Sequence, residues 1–196
     1  MGGAFLVIIS GPPCSGKTTL GRRLAQEFGL PLVSRDEIKE TLFDTLGWSD
    51  REWSQRLGRA SHELLYKFVE KMLDARASCI IESNFDPAYA NQRFLALKKK
   101  YRFDSLEVRC IAEGQVLFER FISRAETGAR HPGHVEQLQA EEQKSILLAG
   151  RLEPLNIGGT RIEVDTTDFK TIDYDRISNT LNAELAKSSD VRRANG

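Results

Sequence analysis

Gly11-Pro12-Pro13-Cys14-Ser15-Gly16-Lys17-Thr18, with Thr19 directly behind it, fits the spacing G-x-x-x-x-G-K-[ST]. These residue types suit a chain of phosphates. Glycine lets the backbone wrap closely around a ligand. The loop amides and the N-terminus of a following helix present partial positive charge to it. Lys17 is the residue that reaches the β- and γ-phosphates, and the Thr18 hydroxyl is a magnesium ligand. A loop of this kind predicts Lys17 in a solvent-facing position, its charge acting on phosphates and not on packing.

Other side chains could complete such a site. Glu82 follows a short apolar run. A carboxylate there has the Walker-B arrangement and would support magnesium through water; the alternative is a strand-end acid facing water. Asp36 could accept the proton of a hydroxyl, support magnesium through water, or simply favour the first turn of a helix. Asn84 and Arg93 follow close behind Glu82 and are candidates for substrate contact. Arg120 and Arg124 are four residues apart on one predicted helix and share a face. With Arg130 they could neutralise a transferring phosphoryl group, or form a solvated basic stripe paired with Glu119 or Glu126. His131-Pro132-Gly133-His134 has no cysteine or third ligand nearby for structural zinc, and reads as a lid turn whose histidines are candidates for substrate contact.

The surrounding pattern supplies elements to carry these residues. Ala4 to Ser10 read as a buried strand, and Leu20, Leu24, Ala25 and Phe28 recur at helical spacing before Gly29. Further strands are predicted over 31–34, 78–81, 106–111 and 161–165. Helices are predicted from Ser34 to about Leu46, then from about Ser49 with Trp53, Leu57, Ala60, Leu64, Phe68 and Met72 as its apolar face. More are expected from Pro87 to about Lys100, over 115–124, 135–148 and 172–185. Ser34 with Glu37, and Ser49 with Glu52, have capping-box spacing. Lys98-Lys99-Lys100 complements the dipole at a helix end. The segment 125–134 reads as a loop or lid, and 188–196 as a frayed tail. Strands alternating with helices predict an α/β fold with a doubly wound, five-stranded parallel sheet. In such sheets ligands sit at the carboxyl ends of the strands.

Composition narrows the function. Lys+Arg and Asp+Glu are both 28, a formal net charge of zero, so nothing overall points to nucleic acid or an anionic membrane. No apolar run approaches the ~20 residues of a membrane span. The opening Met1-Gly2-Gly3 predicts no secretory signal, and Leu6 stands where a myristoylation site needs Ser or Thr. Cys14, Cys79 and Cys110 show no metal or redox spacing and read as reduced thiols of a cytoplasmic protein.

Taken together, GPPCSGKTT, SRDEI, IIESNF with Arg93, ERFISRAETGARHPGH and VDTTD resemble the small P-loop kinases. Among these are the chloramphenicol phosphotransferase, zeta-toxin and polynucleotide-kinase groups and, more distantly, the nucleoside monophosphate kinases. The resemblance implies a P-loop fold of the nucleotide-kinase type, one domain over 1–187 with a lid at about 125–134. It also implies ATP and Mg2+ as cofactors and phosphoryl transfer to a hydroxyl of a small molecule. Lys17, Asp36, Arg124 and Arg130 would be catalytic, with Ser34, Arg35 and Asp36 at the acceptor. Gly11 to Thr19 would hold the phosphates, Arg120 would cover the adenine and Thr167 would lie near it. The chain has Glu82-Ser83-Asn84-Phe85 where monophosphate kinases carry D-G-[FY]-P-R, which argues against a monophosphate acceptor. A kinase of a nucleotide or a polynucleotide 5′ end is the alternative within this class, and a nucleotide-dependent regulatory switch the alternative outside it; an N-K-x-D guanine-selecting stretch is absent from the sequence.

Overall fold

Phe5 to Ser10, strand β1, is buried along its whole length, because strands pair with it on both sides and helices cover both of its faces. The computed structural model describes residues 4–128, 130–135 and 140–194. The remaining strands are β2 (Leu32–Ser34), β3 (Cys79–Glu82), β4 (Asp104–Ile111) and β5 (Thr160–Asp165), and the sheet order is β2-β3-β1-β4-β5. Every pairing is parallel.

The helices are α1 (Lys17–Phe28), α2 (Arg35–Leu46), α3 (Arg51–Asp74), α4 (Pro87–Tyr101), α5 (Gly114–Thr127), α6 (Ala140–Leu148) and α7 (Tyr174–Ala194). Successive residues of a strand point to opposite faces, and β1 uses both. Phe5, Val7 and Ile9 join one core with Leu20 and Leu24 of α1 and Ile177 and Leu181 of α7. Leu6 and Ile8 join another with Leu65, Val69 and Leu73 of α3 and Ala90 and Phe94 of α4. Burial on both faces is why β1 and β3 read as unbroken apolar runs. The α/β fold and the five parallel strands agree with the sequence reading.

Several local expectations are corrected. Ser34 is the residue before α2, yet its hydroxyl makes no capping bond; it donates to Glu82 instead, and Glu37 pairs with Arg22. Neither half of the first capping box forms. Asp50, not Ser49, caps α3 by accepting from the Trp53 amide at 2.9 Å. The buried face of α3 is Ser54, Leu57, Ser61, Leu65, Val69 and Leu73, while Leu64 is 46% exposed. Two serines sit in that buried stripe, so counting apolar residues shifts the face by one. Val135 ends a 3-10 turn at positive φ and does not begin a helix; residues 136–139 of the expected helix lie outside the described residues. α7 runs on to Ala194 with Ser188 buried, through the stretch expected to fray. Last, Lys17 is only 6% exposed and is not the solvent-facing side chain that the loop motif suggested.

Candidate active site

β1 sits between β3 and β4, so the crevice beyond its carboxyl end is where a doubly wound sheet binds ligands. The phosphate-type loop fills that point. Gly11 has φ 145°, and a Cβ there would lie 2.4 Å from the Cys110 carbonyl oxygen. Gly16 has φ 76°, and a Cβ would lie 2.5 Å from Cε1 of Phe169. Both positions therefore require glycine. Cys14 also takes a positive φ of 63°, a conformation that costs a non-glycine residue on the order of 1 kcal/mol. The Ser15 hydroxyl donates to the Pro12 carbonyl at 2.9 Å, and Lys17 Nζ donates to the same oxygen at 2.7 Å. Burial lowers the Lys17 pKa, and the negative charge of Glu82 opposes that effect without cancelling it.

Glu82 ends β3 and is 3% exposed. Its Oε2 accepts from Thr18 Oγ1 at 3.1 Å and from Ser34 Oγ at 2.7 Å. Three elements thus meet on one carboxylate oxygen: the start of α1, the end of β2 and the end of β3. A hydroxyl beside a buried carboxylate is an all-oxygen donor set of the kind that suits magnesium. Among the described residues no group of three or more His, Cys, Asp or Glu side chains could hold a metal.

Asp36 lies in the first turn of α2. Its Oδ2 accepts from Arg130, and Arg35 Nη2 stands 3.4 Å from Oδ1. Burial favours the protonated acid, but Arg130 and then Arg35 outweigh it, and the Asp36 pKa falls well below the usual carboxylate range. Asp36 Oδ1 and Arg35 Nε are buried without a hydrogen-bond partner among the described residues. Such atoms are costly unless something satisfies them.

Arg120 is anchored. It donates to the carbonyls of Thr166 and Thr167 at 3.0 and 2.8 Å, and its guanidinium lies 4.1 Å above the Phe169 ring. Thr167 also accepts from the Glu113 amide at 2.9 Å, so its side chain braces the loop after β5. Pro13, Cys14, Gly16, Lys17, Thr18, Thr19, Asp36, Glu82, Asn84, Arg120, Arg124, Arg130 and Phe169 line one cleft of about 340 Å³. Phe169 was not singled out from the sequence, although it directly follows the Thr166-Thr167-Asp168 loop.

The remaining candidates sit elsewhere. His131 Nδ1 accepts from the Gly133 amide at 3.0 Å, so Nε2 carries the proton that faces Asp44 at 3.1 Å. Its ring stacks on Phe43 with centroids 5.1 Å apart. His134 is buried, bonds Glu40 at 2.9 Å, and has its pKa lowered by burial despite that partner. The His-Pro-Gly-His turn is therefore fastened to α2 through both rings. Arg93 does not reach the cleft: it pairs with Glu63 at 2.6 Å and borders a second cavity. Two groups on α2 and α3 were missed. Lys39 is buried, bonds Ser54 at 3.0 Å and has its pKa pulled down to about 7, chiefly by burial and then by Arg35. His62 has its pKa pulled down to about 4, again chiefly by burial. Nothing in their sequence neighbourhood signals that α2 and α3 pack together and bury both.

A family model described as AAA domain matches residues 6–147. The chain belongs to that family. It is 38% identical to a protein from Chloroflexus aurantiacus J-10-fl assigned as a kinase; the match covers 96% of this chain and 99% of that one with a TM-score of 0.85. Kti12 from Chaetomium thermophilum, solved with ADP-AlF3, is 18% identical over 92% of this chain and 97% of that one with a TM-score of 0.61, a likeness of fold. A cytidylate kinase from Ignicoccus hospitalis is 46% identical over 44 residues, 22% of this chain and 26% of that enzyme. The P-loop kinase resemblance read from the motifs holds for the fold as a whole.

Proposed function

We propose that this protein is an ATP- and Mg2+-dependent phosphotransferase that moves the γ-phosphoryl group onto a hydroxyl of a small molecule. One observation carries the reading: Lys17, Arg120, Arg124 and Arg130 border the same cleft as the carboxylates Asp36 and Glu82. Phosphoryl transfer needs positioning and charge neutralisation more than covalent chemistry, and this cleft offers both beside the Asp36 carboxylate.

Gly11 to Thr19 cradle the phosphates. Lys17 exchanges the Pro12 carbonyl for a phosphate oxygen. Thr18 would hold magnesium, with Glu82 supporting it through water, and the ion would supply positive charge against the phosphates. Arg120, stacked on Phe169, flanks the base, and Arg124 faces the phosphates. Arg130 leaves Asp36 for the transferring group. The acceptor hydroxyl then gives its proton to Asp36, its oxygen bonds the γ-phosphorus, and the bond from that phosphorus to the ADP oxygen breaks. The acceptor leaves phosphorylated and ADP takes the bonding electrons. Incubating the protein with labelled ATP, Mg2+ and a metabolite library, with products read by mass, tests this. The expected result is one acceptor gaining a phosphoryl group. ATP hydrolysis that ignores every metabolite but responds to a protein would replace the kinase with a switch.

A further inference from the structure

A second cavity opens between α3 and α4 beside the carboxyl end of β3. Its volume is about 730 Å³, within the range that encloses a drug-sized organic molecule. Asn84 borders both this cavity and the phosphate cleft, so a molecule seated in the cavity can present one end past Asn84 towards Asp36.

We propose that this cavity is the acceptor subsite and that it takes an uncharged alcohol built on a planar aromatic ring. The proposal rests on the phosphotransferase reading for its hydroxyl, but the chemical class comes from the walls. Tyr66 and Phe85 stand edge-on to Phe94 with centroids 5.5 and 5.4 Å apart, and this aromatic array is buried in the core. Tyr89 is 76% exposed, an aromatic face open to a ligand ring. Planar rings gain from offset or edge-to-face contacts with such walls beyond the area they bury.

Charge argues the other half. The phosphate cleft gathers four cations, whereas this cavity is lined by two arginines and two acids. Arg93 is committed to Glu63 and lies 4.9 Å over the Tyr66 ring. Asp86 caps α4 by accepting from the Ala88 amide. Arg59 is exposed. A phosphorylated or carboxylated acceptor would find no converging cations in the interior. A sugar on its own has no planar π-face to set against Tyr66, Phe85 and Tyr89. His62, held neutral by burial, the Tyr66 hydroxyl, whose pKa is pushed up to about 12 by the same effect, and the amides of Asn84 and Gln92 are the uncharged hydrogen-bonding groups of the lining. They suit the one or two heteroatoms of a ring.

The test uses the whole protein and two probe sets. Naphthylethanol, tyrosol, cytidine and adenosine are uncharged ring alcohols; glucose, gluconate, shikimate and cytidine monophosphate are not of that class. Binding is read by ligand-observed NMR without nucleotide, and transfer by the gain of a phosphoryl group in the presence of ATP and Mg2+. Expected is binding and phosphorylation of at least one ring alcohol. Ala60→Phe, which fills the cavity, and Tyr89→Ala, on a side chain too exposed to hold the fold, should each weaken that binding, the first by roughly tenfold or more. If the polar or charged probes bind more tightly than every ring alcohol, if neither set binds, or if both variants leave ring binding unchanged, the proposal is overturned. If ring alcohols bind, both variants weaken them and no probe is phosphorylated, the class of occupant stands and the phosphotransferase reading falls.

Discussion

Asp36→Asn separates a proton acceptor from a structural acid. The amide keeps the shape and still occupies the first turn of α2, but it cannot take a proton. A positioned general base contributes roughly 10²–10⁴-fold to a rate, which corresponds to about 3–5 kcal/mol of barrier. The structural cost is much smaller. Asp36 is 33% exposed where it meets Arg130, and a partly exposed ion pair is worth roughly 0.2–1 kcal/mol. Its pKa in the fold lies below the unfolded value, so its contribution to stability is present above the ordinary carboxylate pKa and is lost as pH falls through the lowered one. Near neutral pH the variant should thus be folded and slightly less stable, with transfer down at least a hundredfold and ATP affinity changed little. The assay is transfer rate at saturating ATP, nucleotide affinity by titration, and the magnesium dependence of both. A loss rescued by added magnesium would move Asp36 to metal support. Transfer at the wild-type rate by the folded variant would refute the base assignment and leave Asp36 as a helix-start residue.

Lys17→Ala should abolish nearly all transfer while the protein remains folded by circular dichroism; near wild-type transfer would remove the claim that the loop acts on phosphates. ATP with Mg2+ should slow tryptic cleavage after Arg130, because that guanidinium leaves Asp36 for a phosphate in the closed cleft; equal cleavage with and without nucleotide would count against closure. Lys39 has a folded pKa of about 7 against 10.5 for the free side chain. Between those values the unfolded chain binds the extra proton, so stability should rise with pH. From about pH 7 to 9 the wild type should gain on the order of 2 kcal/mol relative to Lys39→Met, read from urea unfolding of both, and parallel curves would show that Lys39 keeps its charge. Gly133→Val should loosen the His131–His134 turn from α2, since a Cβ there would lie 2.6 Å from Cγ of Phe43; an unchanged cleavage rate after Arg130 would contradict that anchoring.

What the sequence determined by itself is what short-range chemistry determines. The glycines, lysine and hydroxyl of Gly11 to Thr19 act through backbone conformation and nearby amides, so the motif carries its own geometry. Unbroken apolar runs such as Phe5 to Ile9 exist because both faces of the strand are covered, and that alone signals a parallel sheet. Capping was less legible: Ser34 and Glu37 have the right spacing, yet the hydroxyl bonds Glu82, 48 residues away, because a buried carboxylate needs its donors more than a solvated helix end does. Only the tertiary structure decided which charges meet. Arg130 pairs with Asp36 across 94 residues of chain, His134 spans the same 94 residues to Glu40, and Arg93 turns away to Glu63 in the second cavity. Burial of Lys39 and His62, and with it their lowered pKa values, likewise follows from the packing of α2 on α3. Desolvation and pairing depend on distances in space, and residue spacing along the chain does not encode those distances.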